Sequence, residues 1–449
     1  MLPRRLRRTS LWPTKPGLVF VALLACALAV RLGWVAATPH FVPLHDAHDF
    51  DRYGISIARF GRFPVGHQAG DQGPLAYRPP GYPLFLGAIY KVFGLGHRIY
   101  AARVVQAFTG TAAVALVAAI GWMLWGRTVG LVGAAIAAVY PPFVYVGESM
   151  YSEGLFLPVM LAAVVAALMF RRSRGQLRWA VATGVLSGLG VLIRPNAAAL
   201  APALLLLVWG VRRPRLSARS LAAPAVALVC MLLVVAPWTI RNALVLHQFV
   251  PVTTELGNTM AGTYNDETRL SPDRPAAWTE PRLTREYSHY YRERGLNDAT
   301  LDHKLRSAAF HYIGKHPTYL WEVWRWNTAR VLDLAGFAES RIGGGTLGLS
   351  PGAADAGSVS FWALGLLALG GLLTRGLRRA PVAFWLLPVL WYLSVVFLNA
   401  EPPRFRVGMD PFFILLAALA ACEFAEWVRA QDPARKLIPS SESVWPKGR

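Results

Sequence analysis

Apolar runs long enough to cross a lipid bilayer alternate with shorter polar segments along most of the chain. A run of about 20 apolar residues matches the hydrocarbon thickness of a bilayer, so each such run predicts a membrane-spanning helix. Ten runs fit this pattern, at residues 17–37, 101–123, 128–146, 153–170, 179–194, 196–211, 219–238, 357–374, 382–398 and 407–425. The pattern therefore predicts an all-α polytopic membrane protein with about ten spanning helices, and a count of eleven or twelve stays open.

Two segments between the spans, 38–100 and 243–356, are too long to be simple turns. Long connections usually carry function or structure of their own. In the first segment, apolar residues recur at helical spacing and predict an amphipathic helix along the membrane: Phe50, Tyr53, Gly54, Ile57 and Phe60. A second short helix is predicted after Pro80. In the second segment, helical spacing recurs from Leu301 to Tyr312, and an aromatic-rich stretch typical of a membrane interface follows.

The composition agrees with lipid as the main solvent. Charged residues make up 16% of the chain, against roughly 25% in soluble domains, and the mean hydropathy is +0.37. The net charge of +21 would suit nucleic-acid binding, but the basic residues form short clusters beside the apolar runs. Basic loops stay on the cytoplasmic side, so the clusters predict a lipid bilayer and no nucleic acid as the partner, with both termini inside. The main clusters are Arg4–Lys15, Arg171–Arg178, Arg212–Arg219, Arg375–Arg379 and Arg429–Arg449.

The spans and basic clusters together predict how the chain is divided. Nearly all acidic residues outside the tail fall in the segments between the basic clusters, which places the candidate chemistry on the extracytoplasmic face. The predicted parts are a cytoplasmic N-terminus (1–16), a membrane module (17–242) with the first outer loop (38–100), a large outer loop (243–356), C-terminal spans (357–425) and a cytoplasmic tail (426–449).

The densest group of ionisable residues follows the first predicted span. His45-Asp46-Ala47-His48-Asp49-Phe50-Asp51 contains three carboxylates and two imidazoles within seven residues. A carboxylate at the outer edge of a membrane suits a general base, and Asp46 and Asp49 are the candidates. Two alternatives stay open. His45, Asp46, His48 and Asp49 would hold a divalent metal ion, or Asp46 and Asp49 would cap a helix.

Prolines restrict the backbone around a single arginine in Tyr77-Arg78-Pro79-Pro80-Gly81-Tyr82-Pro83. A fixed guanidinium suits bidentate binding of a phosphate group, although an interfacial arginine that extends its head group into water is the alternative. We expect Tyr82 to support this site. Glu148 and Glu153 lie at the outer turn between two predicted spans, where they would order the same site or act as solvated helix caps.

Four more arginines meet the outer face from the later spans, against the usual inside bias: Arg194, Arg241, Arg404 and Arg406. Charges at membrane depth are costly and commonly mark a site. We expect Arg241, Arg404 and Arg406 to bind a phosphate group, with Arg194 and Asn242 in support. A base that faces cations holding a phosphate leaving group is a transferase arrangement. Because nucleotides are not expected on the outer face, the donor would be a lipid-linked phosphate.

In this order, the motifs resemble the GT-C superfamily of membrane glycosyltransferases. The resemblance is to the family-39-like branch, which contains the dolichyl-phosphate-mannose–protein mannosyltransferases and the bacterial lipid A aminoarabinose transferase. It spans residues 17–425 and rests on the acidic first loop (46–61), Tyr77-Arg78-Pro79-Pro80-Gly81-Tyr82-Pro83-Leu84-Phe85-Leu86, Ser152-Glu153-Gly154-Leu155-Phe156, Ile193-Arg194-Pro195-Asn196, Pro237-Trp238-Thr239-Ile240-Arg241-Asn242 and Arg404-Phe405-Arg406.

The resemblance implies a GT-C-type helical bundle in a bacterial inner membrane. It also implies an inverting transfer of a sugar from a polyprenyl-phosphate donor to an envelope acceptor. The catalytic aspartate of the family would fall on Asp46, four residues before Phe50, where the family usually has tyrosine. Asp49 is the second choice, because it stands four residues before Tyr53, which would then align with the tyrosine of the family. Arg78 would match the position that binds the donor phosphate, and the large outer loop is expected to recognise an acceptor that stays unidentified.

Other classes of membrane protein fit part of the pattern. An O-antigen ligase or polymerase also has a large outer loop and a lipid-linked donor, but it lacks this order of motifs. A multi-pass transporter places ionisable residues at mid-membrane and often has inverted repeats, whereas here the acids crowd the outer edge and no repeat is visible. If the protein were a non-catalytic scaffold, Asp46 and Arg78 would both be dispensable.

Overall fold

The computed structural model describes residues 15–65, 75–209, 217–293 and 295–431, and these residues are mainly helical. Eighteen α-helices follow one another within this part of the protein: α1 (Lys15–Ala37), α2 (His45–Phe60), α3 (Gly81–Phe93), α4 (Arg98–Trp125), α5 (Arg127–Val139), α6 (Pro141–Tyr145), α7 (Glu153–Arg172), α8 (Leu177–Ile193), α9 (Ala201–Trp209), α10 (Ala218–Leu246), α11 (Leu256–Thr263), α12 (Asp266–Arg269), α13 (Asp298–Lys315), α14 (Tyr319–Val331), α15 (Phe337–Thr346), α16 (Pro351–Leu372), α17 (Val382–Val396) and α18 (Asp410–Gln431). Short 3₁₀ helices cover Pro195–Leu200, Pro281–Leu283, Tyr290–Arg292 and Arg375–Arg379. The predicted all-α fold is confirmed.

The predicted spans coincide with helices of the bundle. Among the described residues, six helices are long and apolar enough to cross a membrane by length and composition: α1, α4, α7, α10, α16 and α18. The remaining predicted spans correspond to shorter apolar helices, namely α5, α8, α9 with the 3₁₀ turn before it, and α17. The polytopic architecture is therefore confirmed, and the number of crossings stays a prediction.

Several helices end at places where the apolar runs do not. The run 128–146 is divided into α5 and α6, because Pro141 and Pro142 interrupt helical hydrogen bonding. Conversely, α10 continues to Leu246, past the predicted end at residue 238, and includes the polar turn with Arg241. An apolar run ends where the side chains no longer face lipid, whereas a helix ends where its backbone hydrogen bonds end.

Glycines allow the spans to pack closely. Helix α8 packs along α10, and α16 packs along α18. A Cβ atom on Gly184 would clash with the backbone of Ala227 in α10, and one on Gly371 would clash with the backbone of Leu416 in α18. Close backbone approach strengthens van der Waals contact, which is the main attraction between helices in lipid. These two positions therefore set the separation of the two helix pairs.

Both predicted helices of the first outer loop are present, as α2 and α3. Buried Asp51 anchors α2, because its carboxylate accepts hydrogen bonds from Tyr90 Oη (2.8 Å) and from Arg98 Nε and Nη2 (2.9 and 3.0 Å). The helix is preceded by Leu44 and has no side-chain cap, so the alternative that Asp46 caps it is wrong. Instead, Asp46 lies in the first turn of a helix held against α3 and α4.

The large outer loop is folded into helices α11 to α15. Helix α13 includes the predicted helical stretch, and α14 includes the aromatic-rich stretch. Two carboxylates of α13 tie this region together: Asp298 Oδ2 accepts a hydrogen bond from the Ala76 backbone N–H (3.1 Å), and Asp302 Oδ1 accepts one from the Gly257 backbone N–H (2.6 Å). The loop is thus fastened to the segment that contains Arg78.

Some of the predicted cytoplasmic segments lie outside the described residues. These are nearly all of the N-terminus (1–16), the tail beyond residue 431 and the basic residues Arg212, Arg213 and Arg215. The clusters Arg171–Arg178 and Arg375–Arg379 lie at the connections from α7 to α8 and from α16 to α17, and their cytoplasmic location stays a prediction.

Candidate functional site

Asp46 lies between two guanidinium groups that come from distant parts of the chain. Its Oδ1 accepts a hydrogen bond from Arg78 Nη2 (2.6 Å), and its Oδ2 pairs with Arg404 Nη2 (2.7 Å). Arg78 precedes α3, and Arg404 lies between α17 and α18. The side chain of Asp46 is still 24% exposed. The structure therefore brings the predicted base together with two of the predicted phosphate-binding arginines, at a place that solvent reaches.

Arg78 is surrounded by three carboxylates. Besides Asp46, its Nη2 donates to Asp49 Oδ2 (2.9 Å), and its Nη1 donates to Glu255 Oε1 (2.6 Å). The side chain is only 5% exposed, and its guanidinium lies over the ring of Phe50. Both candidate bases thus converge on one buried, oriented guanidinium, as its setting among prolines predicted.

Glu153 and Arg194 join this cluster through Arg404. Glu153 is buried, accepts a hydrogen bond from Arg404 Nε (2.6 Å) and pairs with Arg194 Nη1. Arg194 also donates to Ser152 Oγ (3.3 Å), and the Arg404 guanidinium lies over the Tyr151 ring at 4.4 Å from its centroid. Glu153 therefore holds Arg404 through Nε, and Nη2 of Arg404 is directed at Asp46.

The structure separates Arg406 from this cluster. Its side chain is fully buried, pairs with Asp333, and donates from Nε to Asp410 Oδ1 (3.1 Å). The guanidinium also lies 3.6 Å from the centroid of the Phe361 ring. Every contact described for Arg406 is internal to the bundle, so it joins α18 to the end of α14 and does not contact Asp46, as Arg78 and Arg404 do.

Arg241 and Asn242 lie behind the site. Arg241 Nη1 donates to the Leu75 carbonyl (2.8 Å), and its guanidinium stacks over Trp238. The Asn242 amide is buried and donates to two backbone carbonyls of the segment after α10. Both residues position the backbone that leads to Arg78 and to the large loop, and they do not contact Asp46.

Glu148 and Tyr82 are both buried inside the protein. The Glu148 carboxylate lies 3.8 Å from Arg31 Nε in α1, and neither side chain is exposed. Tyr82 packs edge-on against Phe50, with ring centroids 4.9 Å apart. Glu148 therefore belongs to a charge pair inside the bundle, whereas Tyr82 supports the underside of α2.

The two carboxylates on opposite ends of the Arg78 guanidinium have opposite pKa shifts. Burial by itself raises the pKa of the Asp46 carboxyl, but the charges of Arg78 and Arg404 outweigh burial and hold this pKa well below its usual range. Burial also raises the pKa of the Glu255 carboxyl, and there Arg78 offsets only part of the effect. Asp46 is thus firmly ionised, and Glu255 is the less stabilised of the two charges.

The metal-ion alternative has no preformed site in the part of the chain that the structure describes. That part contains no group of three or more His, Cys, Asp or Glu side chains arranged to hold a metal ion. His45 and His48 are exposed, and Asp46 and Asp49 accept hydrogen bonds from guanidinium groups. A divalent cation stays a prediction, and no step proposed below passes through it.

Glu255 is a member of the cluster that no sequence pattern indicated. It lies in the large loop, and its contact with Arg78 joins residues 177 positions apart. Glu401 is a second such residue: burial raises the pKa of its carboxyl while Arg404 opposes the shift. Glu255 stands in no charged cluster, whereas Glu401 lies three residues before Arg404, so its nearness to a selected arginine was the signal that could have found it.

Comparison with known proteins gives one match to a protein family. A family model described as dolichyl-phosphate-mannose-protein mannosyltransferase matches residues 77–240, a range that begins beside Arg78. No curated protein matches the chain.

Solved structures with a similar fold include the Archaeoglobus fulgidus oligosaccharyltransferase in its apo form. It is 14% identical, with a TM-score of 0.57 over 95% of this chain and 53% of that chain. AglB from the same organism, in complex with an inhibitory peptide and a dolichol-phosphate, is 14% identical with a TM-score of 0.55, over 95% and 52% of the two chains. ArnT from Cupriavidus metallidurans bound to undecaprenyl phosphate is 16% identical, with a TM-score of 0.45 over 94% and 81%.

The protein shares its helical fold with the archaeal oligosaccharyltransferase structures. More specifically, the family model and the fold confirm the resemblance to the GT-C superfamily that the sequence motifs predicted. The chain spans about half the length of the archaeal structures that it matches.

Proposed function

We propose that the protein transfers a sugar from a polyprenyl-phosphate donor to an acceptor of the cell envelope. The observation that carries this proposal is the position of Asp46, a partly exposed carboxylate held between Arg78 and Arg404. A similar fold in AglB has been solved with a dolichol-phosphate and a peptide, which supports a lipid-linked donor. The sugar and the acceptor are left open.

The proposed reaction is a single displacement at the anomeric carbon. Asp46 removes the proton of an acceptor hydroxyl, and the acceptor oxygen attacks the anomeric carbon from the side opposite the phosphate. The bond between the anomeric carbon and the phosphate oxygen breaks, and the bonding electrons leave with the polyprenyl phosphate. Arg78 and Arg404 stabilise the negative charge that develops on this leaving group, and the configuration of the sugar is inverted.

Donor binding would also activate the base. In the resting protein, the hydrogen bonds from Arg78 and Arg404 lower the pKa of Asp46 and make it a weak base. A phosphate that takes hydrogen bonds from these guanidinium groups weakens their contact with Asp46 and adds a negative charge nearby. Both effects raise the pKa of the carboxylate toward the range in which general bases are effective.

Substitution of Arg78 tests the proposed donor site. Arg78→Lys keeps the charge but loses the planar pair of donors, and we expect sugar transfer to fall by about 100-fold or more. The measurement is mass-spectrometric analysis of product in membranes supplied with the polyprenyl-phosphate sugar. Arg241→Lys is the matched control and should have a smaller effect, because Arg241 contacts the Leu75 carbonyl and not the cluster. Normal transfer by Arg78→Lys would contradict the proposal.

We further propose a bacterial plasma-membrane location with the site on the extracytoplasmic face and both termini inside. The test uses a variant without Cys26, Cys230 and Cys422, into which single cysteines are introduced at strongly exposed positions. Leu283→Cys in the large loop should react with a membrane-impermeant maleimide in intact spheroplasts. Leu373→Cys beside the basic connection after α16 should react only after permeabilisation. The reverse labelling pattern would overturn the proposed orientation.

A further inference from the structure

The two terminal nitrogens of Arg78 have different partners. Nη2 donates hydrogen bonds to Asp46 and Asp49, whereas Glu255 is the partner described for Nη1, at 2.6 Å. One guanidinium therefore faces three carboxylates, more negative charge than it balances. The remaining Nε is buried without a described partner, so a phosphate group that reaches the guanidinium from its partly exposed side meets a carboxylate on both terminal nitrogens and competes with it.

Glu255 is held at this position by its backbone. The Thr254 backbone N–H donates to the Ala76 carbonyl (3.1 Å), and the Thr253 hydroxyl donates to the Tyr77 carbonyl. On the other side, Gly257 is fixed by its hydrogen bond to Asp302 in α13. With the backbone tied on both sides, Glu255 leaves or returns by rotation of its side chain, and the loop does not have to move.

Glu255 is also the carboxylate that a phosphate displaces with the least disturbance of the site. Asp46 is held by two guanidinium groups, and Asp49 shares Nη2 with Asp46. Glu255 has one described ion pair, with Arg78, and it is the carboxylate described on Nη1. The Glu255 side chain is 29% exposed, so it can turn toward water. A phosphate oxygen that takes Nη1 weakens the contact between Arg78 Nη2 and Asp46 without replacing it, which keeps the proposed base beside the reacting groups.

We propose that Glu255 occupies the position of a donor phosphate oxygen on Arg78 in the empty protein, and that the donor must displace it. This inference rests on the proposed function, because it assumes that Arg78 binds the donor phosphate. It makes Glu255 a specificity-determining residue. A charged phosphate competes with a carboxylate for a guanidinium, whereas an uncharged polyprenyl lipid or sugar does not.

Binding of undecaprenyl phosphate to the full chain in lipid nanodiscs tests this inference. Glu255→Gln keeps the shape of the side chain and removes its charge, so undecaprenyl phosphate should bind about tenfold more tightly, while uncharged undecaprenol should bind as before. Glu255→Ala should give the same change, and thermal unfolding confirms that each variant is folded. The matched control is Glu322→Gln, which removes an exposed carboxylate of α14 that pairs with Arg325 and should leave both affinities unchanged.

Arg78→Ala separates the two hypotheses in the same assay. If Arg78→Ala loses binding and Glu255→Gln gains it for the phosphate alone, the displacement of Glu255 is supported. If Arg78→Ala loses binding but Glu255→Gln is unchanged or weaker, or gains affinity for undecaprenol as well, the role of Glu255 is overturned and the donor site stands. If Arg78→Ala binds like the unmodified protein, the donor site itself is wrong, and the role of Glu255 is overturned with it.

Discussion

Asp46→Asn is expected to reduce sugar transfer by about 100- to 10,000-fold, the range associated with loss of a general base. The amide is similar in shape and its oxygen still accepts a hydrogen bond from one arginine. Because Glu255 also holds Arg78 and Glu153 also holds Arg404, the helix and the two arginines should stay in place. The measurement compares envelope glycans and lipid-linked sugars by mass spectrometry in a deletion strain complemented with either version at equal membrane expression. One glycan should disappear while its polyprenyl donor accumulates, and these two changes identify the substrates.

Asp49→Asn is the internal control for this prediction. Asp49 shares Arg78 Nη2 with Asp46, but the structure describes no contact between Asp49 and Arg404. We therefore expect Asp49→Asn to weaken transfer much less than Asp46→Asn. The opposite order of effects would assign the base to Asp49, and full activity of the double variant would remove both residues from the reaction.

Arg406→Met is expected to destabilise the protein by about 3–5 kcal/mol, the usual cost of breaking a buried ion pair from one side. The substitution leaves Asp333 and Asp410 without their cation in the interior of the bundle. Thermal unfolding of the purified protein in detergent, together with the amount recovered from membranes, measures the effect. The affinity for undecaprenyl phosphate of the fraction that still folds should be unchanged.

Arg341→Met is the matched control for this stability prediction. Arg341 also forms an ion pair with an aspartate, Asp355, but its side chain is exposed. Exposed ion pairs contribute little to stability, so we expect almost no change in thermal unfolding. If Arg406→Met were as stable as the control and instead lost affinity for the phosphate, Arg406 would return to the donor site, where the sequence had placed it.

Arg404 and Arg406 show how far sequence reasoning reaches in this protein. Both are arginines just before the last candidate span, and the cost of charge near lipid marked both as candidate site residues. The sequence did not distinguish them. The turn between α17 and α18 directs Arg404 toward Asp46 and Arg406 into the bundle, where it meets Asp333. The roles of these neighbours depend on which distant side chains the fold places opposite them.

Patterns within single segments determined much of the rest. The spans, α2, α3 and the helical stretch of α13 were predictable because apolar length and helical periodicity are local properties that bilayer thickness and helix geometry impose. Asp46 and Arg78 could be selected as candidate site residues because charged groups beside lipid are costly and seldom present without a purpose. Helix ends such as that of α10 were less predictable from the sequence, because lipid contact and backbone hydrogen bonding stop at different residues.

From the sequence alone, the class of fold, the position of the apolar helices and the main charged residues of the candidate site could be predicted. Only the tertiary structure decided how these charges pair: Asp46 with both Arg78 and Arg404, and Glu255 on the remaining nitrogen of Arg78. Glu255 and Arg78 are 177 positions apart. Helical periodicity and apolar length relate residues a few turns apart, whereas an ion pair between distant segments depends on how the helices of the whole bundle pack.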